Sequence, residues 1–314
     1  AMEQTPSVVS LIGVLEGQRD LYLPGKGLGL MDVDVLAAEF QLARESVRLT
    51  VLDVSRNSLF SDVHTGTGRS TMATVGAEKI VGAAERQSWQ LLDSLQRLTA
   101  LERLDLSETG MNAAAVVALA ATLRVPRVLG CLTSLTLCST GGKEPWKYTL
   151  AVGLVTINLA GKCFGPADAQ LLAAAMLSTQ LLRSVRCLNV LGNPEMGAEG
   201  VRTLVGAVEQ TASVVSLIGV LEGQQEVDLS GVELDASDMK LIVAEMELGR
   251  VLASEVTTLK VPVLGGLIAG APRSYMLSAG VELLDLSGKG LEVADIQLVV
   301  AAMLSTQLTP KAVQ

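Results

Sequence analysis

The sequence predicts an α/β fold in which short strands and helices alternate as stacked repeats. A strand-like LxxLxL pattern recurs along the chain, and three of the gaps between consecutive copies measure 31 residues. Apolar residues make up 49 % of the chain but aromatic residues only 3 %, so an interior must be built from aliphatic side chains, as in narrow, layered structures. Strand–helix repeats of this period stack as a solenoid with a parallel inner sheet and outer helices.

The strand pattern defines about nine repeats in a single domain, residues 1–314. The second core residue of each predicted strand marks its repeat: Leu23, Val54, Leu106, Leu137, Leu159, Val190, Leu229, Val261 and Leu286. Gaps that depart from the 31-residue period mark an insertion or a shortened repeat, and insertions are expected near residues 60–98, 141–150 and 262–280. The alternation of core and outward residues in each LxL predicts one buried and one exposed strand face.

Helical spacing follows most of these strands. After Leu159 the chain reads GPADAQLLAAAML, with Pro166 near the expected helix start. After Leu286 it reads EVADIQLVVAAML, which has the same spacing of apolar residues. Each repeat is therefore predicted to be a strand, a turn and a helix.

Two segments are duplicated almost letter for letter. Residues 3–18 and 209–224 differ at one position, and AAMLSTQL occurs at both 174–181 and 301–308. The first copy lacks the strand and helix that precede the second copy. We therefore expect either that the parent protein has upstream repeats or that residues 3–18 cap the first repeat.

The first insertion is the longest. Its polar, Gly-rich part predicts a mobile loop at about 61–72, and its later part predicts a helix near 75–95. Limited proteolysis is expected to cut first between Ser61 and Thr71.

Charge and composition exclude several classes of protein. The net charge of −9 argues against nucleic-acid binding, which needs a phosphate-neutralising surface. The apolar runs are shorter than the roughly 18 to 20 residues that a membrane-spanning helix needs. One His and four Cys without a CxxC pair argue against a zinc site and a disulfide framework, so no metal or cofactor is expected. With no signal peptide at the start, the sequence favours a reducing, cytoplasmic setting.

The pattern LxxLxLxxN followed by xLxxxGxxxLxxxL resembles the leucine-rich repeat family in its longer, ribonuclease-inhibitor-like form. The best copies are 101–123 and 188–208, and in the second copy Asn193, Gly200 and Leu204 match the family's pattern. The resemblance covers nearly the whole chain and implies a right-handed horseshoe of strand–helix repeats. It says little about function.

The chain departs from the family at the Asn position. Asn is present there only at Asn57 and Asn193, and the other repeats have Lys26, Thr109, Thr140, Lys162, Val232, Leu264 and Lys289. An Asn can bond the backbone of the neighbouring turn from inside the coil, whereas Lys has no acceptor. We therefore expect an interrupted ladder of side-chain hydrogen bonds.

The outward residue of each predicted strand forms a candidate binding column on the concave face. It comprises Tyr22, Asp53, Asp105, Thr136, Asn158, Asn189, Asp228, Lys260 and Asp285. Asp53 and Asp105 are expected on adjacent strands about 5 Å apart and unpaired, which favours a basic partner. Lys260 is expected to neutralise the other acidic half. The alternative is that these residues are merely solvated or bond the backbone of their own turns.

The sequence predicts a non-catalytic scaffold that binds a protein partner on this face. One alternative is a regulator that inhibits or activates a partner enzyme such as a nuclease or GTPase, with Arg69 as its candidate contact. A weaker alternative is an enzyme that uses His64, the single histidine, as a base. A metal or redox site at Cys131, Cys138, Cys163 and Cys187 is a further alternative to half-buried, unreactive thiols.

Overall fold

The computed structural model describes residues 17–42, 48–60, 89–125, 128–248, 256–268, 271–279, 286 and 291–304. These residues form a mixed α/β structure of helices and mostly parallel strand pairs, which confirms the α/β part of the predicted fold. They fall into two compact units, one within Ala1–Thr140, Lys147–Val152 and Ala174–Leu182, the other within Gly141–Trp146, Gly153–Ala173 and Arg183–Gln314. No helix in the described ranges combines the length and the apolar character that crossing a membrane requires.

The first unit contains a five-stranded sheet. Across the sheet its strands are β1 (Asp20–Tyr22), β2 (Val51–Asp53), β3 (Arg103–Asp105), β4 (Ser134–Cys138) and β5 (Lys147–Ala151). The first four strands are parallel, and β5 is antiparallel to β4. Its helical segments include α1 (Leu30–Leu42), a 3₁₀ turn (Leu95–Arg97) that follows the helical residues 89–94, and α2 (Ala113–Arg124).

The second unit contains a two-stranded and a three-stranded sheet. β6 (Thr156–Asn158) and β7 (Cys187–Asn189) form a parallel pair. β8 (Glu226–Asp228) is parallel to β9 (Thr258–Ile268), which forms an antiparallel hairpin with β10 (Ala271–Ser278). The helical segments are a 3₁₀ turn (Pro194–Met196), α4 (Gly197–Glu209), α5 (Ala236–Glu247) and α6 (Val293–Leu304); α3 (Pro166–Ser178) has residues in both units.

The single parallel inner sheet that the sequence predicts is instead divided into three sheets. At the first division, an irregular gap of the repeat pattern holds an antiparallel strand. After β4, Gly141, Gly142 and Pro145 interrupt any helix, and the chain returns as β5 along the edge of β4. β10 likewise pairs with β9, so both β4 and β9 have an antiparallel neighbour where the prediction requires a parallel strand.

Aliphatic residues form the core beneath the first sheet. Leu21, Leu52, Leu104 and Leu135 lie in register across β1 to β4, and each is at most 5 % exposed. This confirms that the LxL pattern marks strands with one buried face.

The second copy of the duplicated segment supplies a strand position that the repeat pattern did not reveal. Ser216 and Ile218 form isolated bridges with β7. The buried carboxylate of Glu245 in α5 accepts the backbone N–H groups of Leu217 and Ile218. This additional position accounts for the 39-residue gap that precedes β8.

Asn57 and Asn193 each bond the backbone of the preceding repeat. In Asn193, Oδ1 accepts the backbone N–H groups of Lys162 and Phe164, both at 3.0 Å. Asn57 makes equivalent bonds to residues 29 and 34 positions earlier in the chain. The Thr109 hydroxyl instead bonds a carbonyl of its own turn. The predicted side-chain hydrogen bonds to the neighbouring repeat are therefore confirmed at both Asn positions. The Thr109 hydroxyl makes only the bond within its own turn.

Four helices begin with the same bond between a side chain and the backbone. The third residue of α1, α3, α5 and α6 is respectively Asp32, Asp168, Asp238 and Asp295. In each case Oδ2 accepts the backbone N–H three residues earlier, at 2.8 to 3.0 Å. An acidic side chain here satisfies an amide at the helix start and complements the helix dipole. The shared Asp gives these four helices a common register.

Candidate functional site

The strand row is the set of side chains that the first sheet places side by side: Tyr22, Asp53, Asp105, Thr136 and Thr149. Tyr22 lies opposite Asp53, Asp53 opposite Asp105, and Asp105 opposite Thr136. Because neighbouring strands lie about 4.8 Å apart, the predicted adjacency of Asp53 and Asp105 is confirmed. The antiparallel β5 adds Thr149 opposite Thr136.

The remaining residues of the predicted column lie in other sheets. Asn158 lies opposite Asn189 in the β6–β7 pair, and Asp228 lies opposite Lys260 in the β8–β9 pair. Asp285 lies outside the described residues. The predicted column of nine residues is therefore divided: some of them form a row in the first sheet, and others form pairs in the other two sheets.

The acidic and amide residues of these strands also shape the turns that follow. Their Oδ1 atoms accept the backbone N–H two residues later, at 2.8 to 3.1 Å, in Asp53, Asp105, Asn158, Asn189 and Asp228. This is an Asx-type turn, which either side chain can form. The turn therefore requires the side-chain oxygen, and it forms whether the residue is a charged Asp or a neutral Asn.

Lys147 neutralises one of the two adjacent carboxylates. Its Nζ lies 3.3 Å from Oδ2 of Asp105. The expectation that Asp53 and Asp105 are both unpaired is therefore wrong for Asp105, because β5 brings Lys147 to the edge of the row. Asp53 has no cationic partner within the described ranges.

The two ends of the strand row differ in accessibility. Tyr22 is 56 % exposed, whereas Thr136 is only 8 % exposed. The hydroxyl groups of Thr136 and Thr149 bond each other at 3.0 Å. The surface open to a partner is therefore the Tyr22–Asp53 end. An exposed ring beside a carboxylate can receive a Lys or Arg side chain, whose cation packs on the ring while it bonds the carboxylate.

Asp228 offers the matched case of a carboxylate that is already compensated. Lys260 Nζ lies 3.1 Å from its Oδ2, as the sequence predicted. Hydrogen bonds from the hydroxyl and amide of Ser230, followed by the bond from Lys260, lower the pKa of Asp228 from 3.8 to about 2. Asp53 and Asp228 thus share the same turn geometry but differ in their cationic partner.

The four cysteines are free thiols in different surroundings. Cys187 is buried, and burial together with the negative charge of Glu245 raises the pKa of its thiol, which keeps it protonated and unreactive. The Sγ atom of Cys138 accepts the backbone N–H of Glu108 at 3.3 Å. Across the described part of the chain, no group of three or more His, Cys, Asp or Glu side chains could hold a metal ion.

Several sequence-based expectations fall outside the described residues. These are His64, Arg69, the proposed cap at 3–18, and the predicted loop with its cleavage segment. Of the predicted helix near 75–95, residues 89–94 are described and are helical.

The Gly-rich segment at 25–29 serves a turn. Gly25 and Gly27 have φ values of +60° and +72°, and the Gly25 amide donates to the Ser55 carbonyl at 2.9 Å. The two glycines therefore provide the positive φ angles that this turn requires.

The sequence reasoning did not identify Lys147 as a residue of the site. The signal was available in KYTLA, residues 147–151, where Tyr148 and Leu150 are buried and alternate with outward residues. This alternation is typical of a strand. The segment lacks the LxL form of the other repeats, so a search for that pattern does not find it.

A comparison of the chain with protein-family models finds no match, and a comparison with curated proteins finds none either.

Proposed function

We propose that this chain is a leucine-rich-repeat-like scaffold that binds a basic segment of a protein partner at the Tyr22–Asp53 end of the strand row. The strand–helix pairs β1–α1, β3–α2, β7–α4 and β8–α5, with the Asn57 and Asn193 ladders, support the repeat assignment. Such repeats stack as a right-handed solenoid. The proposal involves no catalysis, cofactor, nucleic acid or membrane. It places the protein in the cytoplasm, where free thiols persist.

The observation that carries the binding proposal is the Asp53 carboxylate, which has no cationic partner among the described residues and lies beside the exposed Tyr22. The neighbouring Asp105 adds negative charge that Lys147 offsets. A Lys or Arg of a partner would therefore pair with the Asp53 carboxylate, which has no cationic partner among the described residues.

The expected strength of this contact is modest. An exposed ion pair contributes about 0 to 1 kcal/mol, and a cation on an exposed aromatic ring about 0.5 to 1 kcal/mol. Binding through these two residues alone is therefore weak, and salt screens its ionic part. A physiological partner needs further contacts along the same face.

The experiment compares Asp53→Asn with the matched control Asp228→Asn. Both variants lose one negative charge and keep an oxygen for the turn, but only Asp53 has no cation beside it in the described structure. The probe is a fluorescently labelled peptide of alternating Lys and Gly residues, and its binding is measured by fluorescence anisotropy. We expect Asp53→Asn to weaken binding about 3- to 5-fold and Asp228→Asn to leave it unchanged.

Tyr22 provides a second arm of the test. Tyr22→Phe keeps the ring and should bind the peptide like the wild type, whereas Tyr22→Ala should weaken binding. Equal losses in Asp53→Asn and Asp228→Asn would show that the peptide responds to the net charge of −9 alone, which would overturn the proposal.

A further inference from the structure

A second row of side chains lies beside the strand row on the same face of the first sheet. We term it the upstream row, because its members come two positions earlier in each parallel strand: Asp20, Val51, Arg103 and Ser134. Leu52 and Leu104 come between the two rows in β2 and β3, and each is 1 % exposed. Because side chains of a strand alternate between its faces, the residues on either side of these leucines share the outward face.

Arg103 is the positive charge of the upstream row, and its side chain is exposed. Its neighbours in register are Val51 on β2 and Ser134 on β4, which are both uncharged. None of the ion pairs formed by the described residues includes the guanidinium of Arg103. In that part of the chain Arg103 therefore lacks an acidic partner, just as Asp53 lacks a cationic one.

These two charges lie diagonally across neighbouring strands. Asp53 is opposite Asp105 and Val51 is opposite Arg103, so Asp53 and Arg103 are one strand and two positions apart. With about 4.8 Å between strands and 3.3 Å per residue, their Cα atoms are about 8 Å apart. Asp105 is nearer to Arg103 along β3, but its carboxylate is bound by Lys147. The sheet thus displays an anion and a cation at a fixed spacing.

An extended peptide segment matches this spacing. Residues two positions apart in an extended chain have their side chains on the same side, with Cα atoms about 6.5 Å apart. The flexible side chains of Lys, Arg and Glu span the remaining difference. A carboxylate on such a segment can accept two parallel N–H bonds from the guanidinium of Arg103, which adds geometric specificity to the contact.

We propose that the partner's basic segment has an acidic residue two positions from its Lys or Arg, so that the basic side chain pairs with Asp53 and the acidic one with Arg103; this rests on the proposed function of the same face. The net charge of −9 disfavours an acidic residue elsewhere in the partner. Arg103 therefore gives the face a preference for one charge pattern among basic segments.

The test uses three fluorescently labelled peptides, whose binding to the full chain is measured by fluorescence anisotropy. The parent peptide is KTKTKTKTK, in which the β-branched Thr residues favour an extended chain. In the same-face peptide, KTKTETKTK, Glu is an even number of positions from every Lys. In the split-face peptide, KTKTTEKTK, Glu is an odd number of positions from every Lys. The last two peptides have the same composition and charge, so they differ only in the side of the extended chain that presents Glu.

Two variants remove the same positive charge at different places. Arg103→Gln removes it from the upstream row. Arg97→Gln is the matched control, because Arg97 is exposed in the 3₁₀ turn outside the sheet. We expect the wild type and Arg97→Gln to bind the same-face peptide about 3- to 5-fold more tightly than the split-face peptide, and Arg103→Gln to bind the two equally. Circular dichroism spectra check that each variant is folded.

The parent peptide separates failure of this inference from failure of the proposed function. If Asp53→Asn weakens binding of the parent peptide but the wild type binds the same-face and split-face peptides equally, only the charge pattern is overturned. A preference that persists in Arg103→Gln also overturns it. If Asp53→Asn leaves binding of the parent peptide unchanged, the proposed function fails and the charge pattern fails with it.

The parent peptide also tests whether Arg103 is unpaired in the free protein. Arg103→Gln and Arg97→Gln should bind it within about two-fold of each other at physiological salt, where distant charges are screened. Much tighter binding to Arg103→Gln would show that Arg103 occupies the Asp53 carboxylate before a partner arrives, and this result would overturn the inference.

Discussion

Asn193 holds two repeats together through a single amide group. Its Oδ1 accepts two backbone N–H groups of the preceding repeat, and its Nδ2 donates to the carbonyls of Leu159, Val190 and Leu191. The side chain is 1 % exposed, so water cannot replace these partners.

Asn193→Ala should therefore lower the free energy of unfolding by about 2 to 4 kcal/mol, since it leaves buried backbone groups without partners. Asn193→Thr should be intermediate, because Thr109 shows that a hydroxyl keeps the bond within its own turn. Urea unfolding followed by circular dichroism measures both. A loss below about 1 kcal/mol for the Ala variant would mean that the backbone relaxes onto other partners.

Two substitutions at Asp53 distinguish the effect of its charge from the effect of its side-chain oxygen in the turn. Asp53→Asn should leave the melting temperature unchanged or slightly higher, because Asn158 and Asn189 form the same turn without charge. Asp53→Ala should lower the free energy of unfolding by about 1 kcal/mol, since the amide of Ser55 loses its acceptor. Thermal melts distinguish the two variants. Equal losses would show that the carboxylate charge itself stabilises the turn.

The pKa of Asp228 depends first on Ser230. The hydroxyl of Ser230 donates to Oδ1 at 2.6 Å, and this bond is the largest cause of the low pKa of about 2. In Ser230→Ala the pKa of Asp228 should rise towards 3.8, because the hydroxyl bond is lost. It should stay below 3.8, because the amide bond and Lys260 remain. NMR titration of the Asp228 carboxylate measures the shift. An unchanged pKa would assign the effect to the Ser230 amide and Lys260, and Lys260→Met would then separate the two.

At the scale of an element, the start of α5 contains a buried acid that weakens the fold as it ionises. Asp238 accepts the backbone N–H groups of Asp235 and Gly192, yet burial raises its pKa to about 6. The folded state binds this proton more tightly than the unfolded chain, whose pKa is 3.8. Its contribution to stability is therefore full below pH 3.8 and is lost as the pH rises through 6.

The prediction compares the wild type with Asp238→Asn, which cannot ionise. Between about pH 4 and 6 the free energy of unfolding of the wild type should fall relative to that of the variant, by an amount on the order of 2 kcal/mol. Urea unfolding at a series of pH values measures this difference. A difference that does not vary with pH would show that Asp238 is ionised throughout the range.

The strands β1 to β4 and their pairing could be predicted from the sequence, whereas the pairing of β5 could not. In each of the four, an LxL pattern records one buried face, so the register that joins Leu21, Leu52 and Leu104 follows from alignment of the repeats. Pairing of β4 with β5 depends on a return of the chain that no repeat specifies. The same limit applies to the site, because Lys147 reaches Asp105 from 42 residues away along the chain.

At the scale of the whole molecule, each compact unit contains one of the two tryptophans. Trp89 belongs to the first unit, and Trp146, over which the Lys162 ammonium lies at 3.9 Å, belongs to the second. Repeat proteins gain much of their stability from contacts between adjacent repeats. A substitution that destabilises one repeat therefore need not destabilise distant repeats equally.

Single-tryptophan variants should therefore report the two units separately. In Trp146→Phe the fluorescence follows Trp89, and in Trp89→Phe it follows Trp146. Asn57→Ala should shift the urea midpoint of the Trp89 signal more than that of the Trp146 signal, and Asn193→Ala should do the reverse. Equal shifts from both reporters would show that the chain unfolds as one cooperative body.

The turns that follow the strands have a consequence for how this surface can change by mutation. Asp and Asn codons differ by a single nucleotide, and both side chains provide the oxygen that these turns require. Exchanges at Asp53, Asp105, Asn158, Asn189 and Asp228 can therefore alter the charge of the strand faces while the turns are preserved. Natural variation and selection experiments can thus retune which partners these faces attract, one unit of charge at a time, at little cost to folding.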